Sequence, residues 1–116
     1  MQTIVLTMRR KPIAQGLMLM LGGNPDLRLT CEPEYGSADV ALIEVNESVR
    51  NDVSRCLTLC DRLRKEAPQC KLLLMCPEQD RTAVAQAVEA KRAGRIDDFV
   101  FFDSTTDYLI SKLLSM

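Results

Sequence analysis

The feature that most constrains this chain is its regular alternation of strand-length apolar runs with helical stripes, separated by proline and glycine. Residues 3–8, 27–31, 40–45, 71–76 and 99–102 are the apolar runs. Residues 40–45 are almost continuously apolar, as expected of a strand buried on both faces. Between the runs come helical patterns. Pro12 suits a first helical position, with Ile13, Leu17, Met18 and Leu21 at helical spacing before Gly22-Gly23-Asn24-Pro25. A longer stripe from Ser48 carries Val49, Val53, Cys56, Leu57, Cys60 and Leu63, and Pro68 closes it. Residues 82–93 are helix-prone and end at Gly94. A last helix from about Thr106, capped by Asp103 or Ser104, would turn Leu109, Ile110, Leu113 and Leu114 inward. Alternation of this kind predicts an α/β fold, a (βα)5 doubly wound parallel sheet with helices on both faces. Only residues 32–39 join the second and third strands, too few for a full crossover helix. The second helix is therefore expected to be shortened or missing.

A single core is within reach of 116 residues, and residues 1–116 are expected to form one domain. Lysine and arginine total 15 against 16 acidic residues, so no net field recommends nucleic acid or an anionic membrane. Histidine is absent, which removes every mechanism that needs an imidazole on this chain. The longest apolar stretch, 13–21, contains Gln15 and is too short to span a bilayer, and the N-terminus shows no signal peptide. Five cysteines, an odd count set among apolar neighbours, suit a reduced cytoplasmic protein better than a disulfide framework.

In an open parallel sheet, chemistry gathers at the carboxyl ends of the strands. There this chain places Glu44, after the third run, against Arg9 and Arg10, after the first. One reading is an ion pair between Glu44 and an arginine; the other turns both arginines to solvent and leaves Glu44 exposed or bonded to backbone. Arg9, Arg10 and Lys11 also precede a helix N-terminus, a reasonable site for an anionic ligand such as a nucleotide, though no glycine-rich phosphate loop accompanies them. Cys56 and Cys60 share a helix face at a metal-ligand spacing, yet both lie in the apolar stripe and no histidine can join them, so core packing is favoured. Cys76 at a strand end is either a thiol activated by a nearby arginine or a small filler, and the second is favoured.

The order of these fragments resembles the receiver domain of bacterial response regulators, most closely the NarL/LuxR type. RRKPIAQGL (9–17), ADVALIE (38–44), RLRKEAP followed by KLLLMC (62–68 and 71–76) and AGRIDDFVFF (93–102) each echo a family segment, and together they cover essentially the whole chain. The resemblance implies the flavodoxin-like strand order 2-1-3-4-5. It also assigns roles to positions. Arg9 and Arg10 stand where the family keeps a metal-binding acidic pair, and Glu44 stands at the phosphoacceptor aspartate. Cys76 replaces a hydroxyl switch residue, and Phe102 and Asp103 replace a lysine and the proline after it. Phe99 keeps the aromatic switch position.

So altered, the crevice is expected to lack phosphoryl chemistry, and with it enzymatic activity, a metal and any cofactor. The expectation is a cytoplasmic pseudo-receiver of two-component signalling type, acting as a protein-interaction or dimerisation module in transcription regulation. The resemblance places its self-pairing or partner face on the family's fourth helix (residues 82–93 here), the fifth strand and the last helix. Phe101, Phe102, Tyr108 and Leu109 offer surplus apolar surface there. DNA contact would need an output domain outside this chain. The runner-up is a sensor of an anionic small ligand at Arg9 and Arg10.

Overall fold

The computed structural model describes residues 1–31 and 35–116. Five parallel strands, β1 (Gln2–Thr7), β2 (Leu27–Cys31), β3 (Val40–Glu44), β4 (Lys71–Cys76) and β5 (Asp98–Phe101), form one sheet in the order β2-β1-β3-β4-β5. The helices among the described residues are α1 (Lys11–Leu21), α2 (Asp52–Glu66), α3 (Arg81–Arg92) and α4 (Thr106–Ser115). This is the doubly wound arrangement expected. Between β2 and β3 the described residues hold only a 3-10 turn at Tyr35–Ser37; residues 32–34 of that connection lie outside them.

The period of two along each strand sorts the core into two layers. Ile4, Leu6, Val40, Leu42, Leu73, Met75 and Val100 face α1 and α4, packing on Leu17, Leu21, Leu109 and Leu113. Val5, Ala41, Ile43, Leu72, Leu74 and Cys76 face the other way, onto α2 and α3. All of β3 is buried, because it pairs with β1 and β4 and carries helices on both faces. Gly94, at φ 76°, ends α3: Arg95 N–H donates to Ala90 O at 2.9 Å and Gly94 N–H to Lys91 O at 3.1 Å. This left-handed Schellman turn is what glycine after 82–93 predicted.

Three local expectations are corrected. The second long helix begins at Asp52, not Ser48, since Asn46 Oδ1 accepts the Ser48 N–H at 2.9 Å and Asn51 adopts a left-handed φ of 57°. Asn46 thus makes a local turn that competes with helix, and Val49 falls outside the stripe and is exposed. The α4 cap is Thr105, whose Oγ1 accepts the Tyr108 N–H at 3.1 Å, instead of Asp103 or Ser104. Finally, Met18 and Leu114 point outward, because Leu17–Leu21 and Leu109–Leu113 already fill the narrow inward stripes. No described helix is long and apolar enough to cross a membrane.

Candidate functional site

The chain winds outward in opposite directions from β1, through α1 to β2 and onward to β3. The crevice between the carboxyl ends of β1 and β3 is therefore the topological switch point. Glu44, the last residue of β3, lies in it at 3% exposure. A buried carboxylate must have its oxygens satisfied. Its Oε1 accepts the backbone N–H groups of Arg9 (3.2 Å) and Arg10 (3.3 Å), and its Oε2 accepts from Arg10 Nε in a close ion pair. The Arg10 guanidinium also lies over the Phe102 ring, its Cζ 5.6 Å from the ring centroid. Of the two arrangements the sequence left open, the ion pair is the one present, and its arginine is Arg10. Arg9 contributes its backbone N–H, while its side chain is exposed.

The same carboxylate explains a local puzzle. Arg10 is the N-cap residue of α1, and its side chain makes no cap hydrogen bond. A negative group from β3 supplies acceptors at the positive end of the helix instead. Glu44 is thus a cap provided across the fold, tying the start of α1 to the end of β3.

A second buried acid, Asp52 at 3% exposure, sits behind Glu44. Asp52 Oδ2 accepts the Asn46 N–H at 2.6 Å, and Oδ1 accepts from Arg55 Nε at 2.6 Å. The Cys56 thiol lies 3.4 Å from the backbone carbonyl oxygen of Glu44 and 3.8 Å from Asp52 Oδ2. Burial works to raise the Asp52 pKa, but the Arg55 hydrogen bond, the Asn46 N–H and the charges of Arg55 and Arg9 outweigh it and hold the carboxyl below its ordinary value. Sequence reasoning missed Asp52: it falls at the edge of the apolar stripe, four residues before Cys56, but a charged residue at a helix start reads as solvated when its partners are not visible in the spacing. The signal was there in the turn-forming Asn46 and Asn51-Asp52, with Arg55 one turn on.

Cys76 lies at the end of β4, fully buried, with its thiol pushed up to about 12, chiefly by burial and then by Cys56 and Asp80. Such a thiol is a filler and not a nucleophile. Cys56 and Cys60 are buried too, each pushed up to about 12, chiefly by burial. Among the described residues, no group of three or more histidine, cysteine, aspartate or glutamate side chains could hold a metal ion. Phe102 joins the site through Arg10 and donates its N–H to Cys76 O at 3.1 Å. Phe99 does not: it packs edge-to-face on Phe101 (5.8 Å, 71°) against the α2–α3 layer. The crevice brings together Arg9, Arg10, Glu44 and Phe102, with Cys76 beneath, and leaves Phe99 apart.

The donor set determines what this crevice can hold. Divalent cations want several uncommitted carboxylate oxygens. Here both oxygens of Glu44 are engaged by donors, one of them a guanidinium, and the residues before α1 are basic. A magnesium ion bound there would have to displace a cation and break a helix cap.

No family model and no curated protein sequence matches the chain. Solved structures do. An adenylate cyclase from Rhodopirellula baltica superposes with TM-score 0.75 at 14% identity, over 98% of this chain and 85% of that one. The CheY-like protein TadZ from Pseudomonas aeruginosa gives TM-score 0.72 at 16% identity, over 99% and 98%. A LuxR-family DNA-binding response regulator from Staphylococcus aureus gives 0.72 at 10%, again over 99% and 98%. At such identities the likeness is one of fold. With its strand order and its crevice between β1 and β3, this chain has the flavodoxin-like receiver fold of response regulators.

Proposed function

We propose that the chain is a receiver-like signalling domain that works without phosphorylation, as a protein-interaction module in a transcription-regulatory setting. The observation that carries this reading is the Arg10–Glu44 pair. Phosphoryl transfer to a carboxylate needs a free oxygen as nucleophile and a metal to bridge and neutralise the charges. At Glu44 both oxygens are occupied, and the charge that a metal would supply is already there as a fixed guanidinium. Such a site holds one conformation instead of switching between two. Its signal would then be its surface and its presence, not its phosphorylation state.

The test is exposure of the intact chain to acetyl phosphate or beryllofluoride with Mg²⁺, read by mass and by ¹⁹F resonance. No adduct is expected. A Mg²⁺-dependent adduct on Glu44 would overturn the proposal. Titration calorimetry with a nucleotide panel addresses the ligand-sensor alternative, for which Arg9 and Lys11 remain, since Arg10 is engaged by Glu44 and Phe102. Saturable binding lost in Arg9→Ala would favour that alternative.

A further inference from the structure

The outer face of α1 differs from those of the other described helices. Residues 12–25 carry no charge, so that α1 holds only Lys11 at its start, whereas α2, α3 and α4 each mix acids and bases. Apolar side chains occupy this face: Leu19 is 85% exposed, Met20 44% and Met18 41%. Beside them runs an apolar groove of about 220 Å³ between α1 and the β5–α4 side, lined by Pro12, Ile13, Gly16, Met20, Phe102 and Leu109 among others. Above Gly16 there is open space, since a Cβ built there meets nothing within 4 Å. A mid-helix glycine without a conformational need costs about 1 kcal/mol against alanine.

We propose that this face pairs with a second copy of the same chain, α1 against α1 in antiparallel register about a two-fold axis. Charge complementarity selects this occupant. A two-fold interface sets residues near the axis against their own copies, so a charge there would repel itself, and residues 12–25 have none. At the ends the reverse holds. Antiparallel pairing carries exposed Lys11 to the carboxyl end of the partner helix, where the last carbonyls carry partial negative charge and exposed Asp26 follows. The same register, centred between Gly16 and Leu17, sets Leu19 against Pro12 and Gly16 of the other copy, at the mouth of its groove. Leu19 is the knob and the space over Gly16 the hole.

By contrast, the exposed large apolar side chains on α3, β5 and α4 are two, Tyr108 and Leu114, set among charges, and Asp98 is paired with both Lys91 and Lys112. One helix and one groove fall short of the ~800 Å² per partner of a standard interface, so a reversible dimer seen at about 100 μM protein is expected.

The inference deepens the interaction-module reading by naming its face and partner. Sedimentation velocity of the full chain across a concentration series tests it. The wild type is expected to shift from monomer to dimer. Leu19→Glu and Gly16→Leu are expected to stay monomeric at every concentration with unchanged circular dichroism, Gly16→Leu with no loss of stability since leucine favours helix over glycine. Lys11→Glu is expected to weaken the dimer, and Lys11→Glu combined with Asp26→Lys to restore it. A wild type that stays monomeric overturns the inference, as does a dimer that survives Leu19→Glu but is lost in Tyr108→Glu. Phosphoryl labelling of Glu44 is a separate readout. Its absence in a monomeric wild type would leave the phosphorylation-independent reading standing while this inference falls.

Discussion

At the residue scale, Glu44 is the point on which the molecule turns. A lone carboxylate at 3% exposure would be strongly unfavourable, and it is held by two backbone N–H groups and one guanidinium. Arg10→Ala removes the charge partner and leaves the acid buried. Breaking a wholly enclosed pair costs ~3–5 kcal/mol. Here Arg10 is partly open to water and the two backbone donors remain, so a loss of about 2 kcal/mol is expected. Urea unfolding of the variant measures it, with Arg10→Lys recovering only part, because an ammonium reproduces neither the directional Nε bond nor the stacking on Phe102. The residue identities at Arg9, Arg10 and Glu44 were legible as a charge juxtaposition. Which arginine makes the pair was not, because both follow β1 in adjacent positions and only the turn into α1 aims one guanidinium at the crevice.

At the scale of elements, the helices differ in how they begin. Asp80 caps α3 by accepting the Ala83 N–H at 3.0 Å, and Thr105 caps α4 through the Tyr108 N–H. Both caps are local, made by a side chain that precedes its own helix. Thr105→Ala is expected to cost about 1 kcal/mol and Thr105→Ser almost nothing. A fall in urea midpoint at unchanged m-value is the check, and a neutral Thr105→Ala would mean that α4 is held by packing alone. Periodicity and turn residues made nearly every strand and helix legible. Cap identity was not, since Asp103, Ser104 and Thr105 are adjacent and each competent. The start of α2 was misread for a related reason: Val49 continues the apolar spacing, but Asn46 and Asn51 turn the chain before the helix can form.

At the scale of the whole molecule, the second buried acid links stability to pH. The folded state holds Asp52 below its ordinary value of 3.8, and Asp98 is lowered in the same direction, its burial being outweighed by bonds from Lys112, its neighbouring Phe99 N–H and Lys91. A carboxyl whose pKa is lower folded than unfolded contributes stability above the unfolded value and loses it as pH falls through the folded one. Stability is therefore expected to be flat near neutrality and to drop below about pH 4. Asp52→Asn should be less stable than wild type at pH 7, with the gap closing in acid; a gap that persists to pH 2 would assign the loss to packing. By itself the sequence determined the five apolar runs, the helices between them, the shortened second crossover and hence the sheet, because these follow from local periodicity and turn chemistry. Tertiary structure alone decided that Arg10 and not Arg9 neutralises Glu44, that Asp52 is an interior acid, and that the exposed apolar face lies on α1. Each of those depends on where separate elements converge and on which side chains the two narrow core layers had room to cover, and neither is encoded by spacing along the chain.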